Sequence, residues 1–167
     1  MANQITGWQG GRLNSGLTWT AAFASTDLPS LPSGSTILSS AGAITNGTSL
    51  DMFIDISVRC IIAASTIPAG AALPLWLFPL LDDGSTYGDG QFTAGTQAAK
   101  TPTFAAIGSI PLVVAALQTS LVGALTGITI PPGSFLPALQ NLSTFTFTSG
   151  TQTVKYRSYN INLTTAT

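Results

Sequence analysis

A chain of 167 residues is the size of one domain. Only 7% of it is charged, against roughly 25% in an ordinary globular domain, and the net charge is −1. Five basic residues, Arg12, Arg59, Lys100, Lys155 and Arg157, are too few for a phosphate-tracking groove, which excludes nucleic acid as a direct ligand, and the absence of His excludes a Ser-His-Asp triad.

A monomer normally keeps itself soluble with mixed surface charge. Thr, Ser, Gly, Ala and Asn stand in its place here. Much of the surface is therefore expected to be covered by copies of the chain or by a partner.

The N-terminus, MANQITGWQGGRLN, has no basic region followed by an apolar one, so no secretory signal is expected and synthesis belongs in a cytoplasm. Residues 1–17 are rich in Gly, Asn and Gln and read as an extended arm, with Trp8 and Arg12 as candidate anchors on a partner. Residues 18–167 read as a single domain. A first strand is expected from Thr18 to Phe23, with Trp19 on one face, and a turn and strand from 31 to 40.

The stretch 50–62, LDMFIDISVRCII, organises the rest. Leu50, Met52, Ile54, Ile56, Val58, Cys60 and Ile62 fall on every second position, which in a β-strand makes one oily face. Asp51, Asp55, Ser57 and Arg59 lie between them. The stretch is long for one strand, so a bulge or bend is expected. Cys60, the single cysteine, sits on the oily face and reads as a small buried hydrophobe rather than a reactive thiol.

Residues 67–75 and 130–139 share the form I-P-x-G-x-x-L-P, a Pro/Gly turn that launches a strand. The second Pro of each, Pro74 and Pro137, suggests an edge strand or bulge. The apolar window 69–81 is interrupted by Pro74 and Pro79 and falls short of the roughly 20 residues of a membrane-spanning helix. Gln118, Thr119 and Ser120 interrupt the other apolar window, 112–125.

Further strands are expected at Leu73–Leu80, Ile110–Leu117, Leu121–Ile130, Ser134–Asn141, Ser143–Thr148 and Thr153–Leu163. A short helix is the alternative over 112–125, which Val113, Val114, Val122 and Gly123 weigh against. Phe145 and Phe147 alternate with Thr, and Ser149-Gly150 reads as the turn of a hairpin into the last strand. Irregularly spaced strands with Gly/Pro corners and no βαβ rhythm predict an all-β fold: a two-sheet antiparallel sandwich, with jelly-roll topology favoured.

Asp82, Asp83 and Asp89 lie on a Gly-rich segment and are the weak candidates for a hard-cation site. The alternate acids and closing Glu of an EF-hand are missing, so the segment is read as a self-bonded loop, with no metal and no cofactor. Asp51 and Asp55 stand roughly 13 Å apart at about 3.4 Å per residue, too far for a glycosidase pair. No enzymatic activity is expected. Lys155 and Arg157 share one strand face, and Asp51 and Asp55 are the acids to meet them, across a sheet or a subunit boundary. Tyr156 and Tyr159 fit a sugar-stacking platform or an interface.

The runs L-x-DDGSTYGDG (80–90), I-x-I-PPG-S-F-x-P-x-LQN (128–141), L-D-x-F-x-D (50–55) and YRSYNINL (156–163) together resemble small β-rich virion proteins of tailed bacteriophages, including jelly-roll capsid decoration, or cement, proteins. The resemblance runs from about Trp19 to Leu163. It implies a non-enzymatic homo-oligomer, commonly a trimer, bound to the major capsid protein on the outer capsid surface. Contacts would fall on the arm and the polar sheet face, with no residue-level site carried over; the residues themselves single out Trp8, Arg12, Trp19, Asp51, Asp55, Lys155, Tyr156, Arg157 and Tyr159 as interface candidates. Two alternatives share the fold. One is a receptor- or carbohydrate-binding module of a tail or fibre, using Trp76, Tyr87 and Phe92. The other is a minor head or tail completion protein.

Overall fold

A computed structural model describes residues 3–10, 18–81, 86, 95–97, 102–103, 105–112 and 118–165. They form β1 (Asn3–Gly10), β2 (Thr20–Ala21), β3 (Thr36–Leu38), β4 (Ile44–Thr45), β5 (Phe53–Ser65), β6 (Ala72–Pro79), β7 (Gly95–Gln97), β8 (Gly108–Pro111), β9 (Gln118–Thr129), β10 (Ser134–Gln140) and β11 (Thr153–Thr165). All pairings are antiparallel. One sheet runs β1-β11-β5-β9, with β2 also on β11; the other runs β7-β3-β10-β6-β8, with β4 on β10. The two sheets enclose one main core, so the fold is an all-β antiparallel sandwich. No helix among the described residues is long and apolar enough to cross a membrane.

The first half of the expected arm joins the sheet. β1 pairs with the last seven residues of β11, and β2 pairs with Lys155 and Tyr156 further along the same edge.

β5 lies between β11 and β9, and its alternation sends Ile54, Ile56, Val58, Cys60 and Ile62 into the core. The expected irregularity is present. The register with β9 shifts between Ile54 and Ile56 and again between Ile61 and Ser65. Leu50 and Met52 do not follow the alternation and are each 54% exposed. Asn46 is the cause. Its Oδ1 accepts the Asp51 N–H at 2.7 Å and its Nδ2 donates to the Asp51 carbonyl at 2.8 Å. Leu50 is thereby held in a left-handed turn, φ 50°, and the pleat begins only at Phe53.

β6, ALPLWLFP, is buried on both faces, as a continuous apolar run requires. Leu73, Leu75 and Leu77 enter the main core; Trp76 and Phe78 join Leu38 and Ala138 in a second cluster on the other side of the sheet. Trp76 is therefore a packing residue, not part of an exposed groove; Tyr87 and Phe92 lie outside the described residues.

Pro74 and Pro137 occupy interior strands, not edges. The Pro137 carbonyl accepts the Ser39 N–H at 2.9 Å, so the side of Pro137 that lacks an N–H faces the gap between β3 and β4. Pro74 sits where the β6–β10 ladder lapses, between Leu75 and the Ala72–Leu142 bridge.

Residues 143–148 form no strand beyond a single bridge from Phe147 to Ile62, and no hairpin with β11, which pairs with β5 instead. Buried Asn141 takes these residues over. Its Oδ1 accepts from the Ser143 N–H and hydroxyl at 3.0 and 2.6 Å, and its Nδ2 donates to the carbonyls of Leu31 and Phe145 at 3.0 and 2.7 Å. Such side-chain bonds compete with a ladder.

Along one flank the sheets close on glycines. A Cβ on Gly123 would lie 2.2 Å from Ile110 Cγ2, and one on Gly108 2.7 Å from Leu125 Cδ1. Gly123→Ala is expected to overpack this flank and cost about 1–3 kcal/mol, seen as an earlier midpoint in urea denaturation. An unchanged midpoint would show that the flank has room to spare.

Candidate functional site

The strands of the second sheet contain no charged residue, whereas those of the first contain four: Asp55, Arg59, Lys155 and Arg157. The register decides where they point. On β5 the core takes the even positions from Ile54 to Ile62, so Phe53, Asp55, Ser57 and Arg59 face outward. Arg157, Lys155 and Tyr159 stand opposite Asp55, Ser57 and Phe53 and share that face. The outer face of the first sheet therefore carries every charge found in a strand.

Asp55 is the centre of this face and is buried. Its Oδ2 accepts from Arg157 Nε and Nη2, both at 2.9 Å. Its Oδ1 accepts from the Tyr159 hydroxyl at 3.0 Å and the Gly127 N–H at 2.8 Å. The last bond depends on the bulge opposite Asp55. Gly127 takes φ +66°, which frees its N–H from the ladder and turns it to the carboxylate. Arg157, 30% exposed, is covered from the other side by Trp19, whose ring centroid lies 4.7 Å from the guanidinium carbon. Phe53 stacks on Tyr159 at 5.7 Å between centroids. Trp19, at 36% exposure, and the exposed side chains of Arg59 and Lys155 complete the face.

Of the residues singled out in the sequence, Trp19, Asp55, Lys155, Arg157 and Tyr159 meet on one surface. Asp51 and Tyr156 do not join them. Asp51 is buried beyond the end of β5 and accepts from the Ser158 hydroxyl and Asn160 Nδ2, not from Lys155. Tyr156 points inward against the core. For Trp8 the backbone is described, opposite Ile161; Arg12, Asp82, Asp83 and Asp89 lie outside the described residues. Phe53, Arg59 and Gly127 belong to the face but were not singled out. Arg59 shares the phase of Asp55, and a glycine inside a strand pattern is a bulge signal.

Asp55 is fully engaged by its four donors and has no open lone pair to act as a general base. Asp27 is likewise committed, holding the N–H groups of Ala24 and Ser40 at 2.8 and 2.9 Å. Every buried side-chain polar atom among the described residues has a partner. Burial pushes the Cys60 thiol up to about 12, so it stays protonated and unreactive. Comparison with known protein families, curated sequences and solved structures finds no match to this chain.

Two outcomes follow from this chemistry. Asp55→Ala would strand the Tyr159 hydroxyl, the Gly127 N–H and the Arg157 charge, and is expected to cost about 2–4 kcal/mol by denaturant titration, less than a fully buried pair because Arg157 is partly solvated. Stability should also fall in alkali. Burial raises Tyr156, and burial followed by the hydrogen bond to Asp55 raises Tyr159, each above the ordinary 10.0; Cys60 rises from 9.0. All three hold their protons more tightly when folded, so their contribution is complete below about pH 9 and is lost as the pH climbs through their folded values. Urea midpoints at pH 8, 10 and 11 check this; a flat profile would contradict it.

Proposed function

We propose that this protein is a non-enzymatic structural component of a tailed-phage virion. It coats the outer capsid surface and bridges neighbouring subunits of the major capsid protein. The observation that carries the reading is the gathering of all strand charge, with Trp19, Arg157 and Tyr159, on one outer face of an otherwise neutral sandwich. Exposed Trp19 beside an Arg157 held in place by Asp55 is the kind of pairing that anchors a protein–protein contact. The commitment of Asp27, Asp51 and Asp55 to structural bonds supports the absence of catalysis.

The strand winding fits the same reading. Leaving out the two-residue β2 and β4 and the outermost strand β7, the first sheet takes the strands ranked first, eighth, third and sixth in the chain, and the second takes second, seventh, fourth and fifth. We infer that this is a jelly roll, the double-Greek-key arrangement common in capsid proteins.

The mechanism is mechanical. Each copy adds contacts across a seam between capsid subunits, and repetition over the shell sums small gains. Purified protein added to particles grown without it should raise the temperature at which they release their DNA, and should saturate at a fixed number of copies per shell. Absence of binding to such particles would overturn the proposal.

A further inference from the structure

The charge of this molecule is not only scarce but divided. Three cations, Arg59, Lys155 and Arg157, stand on the outer face of the first sheet over one carboxylate, and that carboxylate is buried beneath Arg157. Asp27 and Asp51 are consumed by neighbouring backbone and side-chain donors. The three acids that remain, Asp82, Asp83 and Asp89, fall within eight residues immediately after β6. The Leu81 N–H donates to the Thr86 carbonyl at 2.8 Å, a bond that anchors Thr86 at the end of β6. β6 belongs to the second sheet, and stacked sheets lie about 10 Å apart. That anchor and the cationic face are on opposite sides of the core.

We propose that the outer face of the first sheet is the docking surface for the Asp82–Asp89 segment of a second copy of this chain. This contact rests on the same outer face as the shell-binding proposal and adds a second copy of the chain as a further partner at its Arg59–Lys155 part. Arg59 and Lys155 supply the attraction. Arg157 supplies geometry: Asp55 and Trp19 hold its guanidinium in place, and the Nη1 hydrogens, not used by Asp55, are left for an incoming carboxylate. Trp19 adds exposed apolar area beside it. The two surfaces differ, so the contact is heterologous. It runs head to tail from copy to copy and closes into a ring where the rotation permits.

Sedimentation of the full chain tests this. The unaltered protein should associate at low salt and come apart as salt rises towards about 0.5 M. Arg59→Glu with Lys155→Glu, and separately Asp82→Lys with Asp83→Lys, should each weaken association roughly tenfold or more by setting like charges against each other. Mixing the two variants should restore it, because each then carries the charge the other lacks. Circular dichroism checks that the variants fold; if one does not, the salt titration of the unaltered chain decides alone. A monomer at low salt, variants that assemble like the parent, or a mixture that stays apart would overturn the contact. A chain that coats shells but never self-associates sinks this contact alone; one that self-associates as described but ignores shells sinks only the shell reading.

Discussion

β5 is hydrogen-bonded along both edges, to β11 and to β9, so its side chains have only two directions open to them. Every even position from Ile54 to Ile62 turns inward and every odd one outward, and the neighbouring strands must follow the same phase. A slip of one residue would put Asp55 and Arg59 into the core and Ile56 and Val58 into water. The polar face and the oily core are thus two consequences of one register. The bonds around Asp55 help to fix it, since Arg157 and Tyr159 on β11 and Gly127 on β9 all converge on a single carboxylate.

The ends of the sandwich are secured differently. There the backbone leaves the ladders, and buried amides take over its polar groups. Asn46 grips the turn before β5 and also donates to the Pro131 carbonyl at 3.1 Å, joining two corners. Asn141 gathers the segment after β10. Gln152, just before β11, donates to the carbonyls of Thr148 and Ile61 at 2.9 and 3.3 Å. Each of these side chains both donates and accepts, which is what a corner needs when neither neighbour continues a strand.

The sequence made the sandwich legible where period-two patterning was long, as in β5 and β11, and where a Pro/Gly turn launched an apolar run, as in β10. It misled where a polar side chain several residues away decided the backbone. Phe145 and Phe147 alternate with Thr as a strand does, yet Asn141 and Ser143 hold that segment in a bend. Leu50 and Met52 continue the apolar phase of β5, yet Asn46 ends the pleat before reaching them. Prolines were also misread. A missing N–H signals an edge only if the neighbouring strand is continuous, and Pro137 instead lies beside the break between β3 and β4. On the candidate face, the pairing of Arg157 with Asp55 was one of several that the spacing left open. Its cover by Trp19 and its support from Gly127 were not legible, because Trp19 lies outside any long strand pattern and the Gly127 N–H is released only by a bulge.

The second sheet is apolar on both sides over β6 and β10, with Trp76, Phe78 and Ala138 packed on the surface away from the main core. This makes the molecule unequal in its tolerance of genetic drift. Substitutions in that layer meet close packing whichever way they point, so they register as lost protein. On the opposite layer, the exposed outward positions such as Arg59 and Lys155 are free to vary with little harm to folding, and changes there would surface as altered association. A survey of viable variants would therefore trace the contact surface as the region where the protein survives and its partnerships do not.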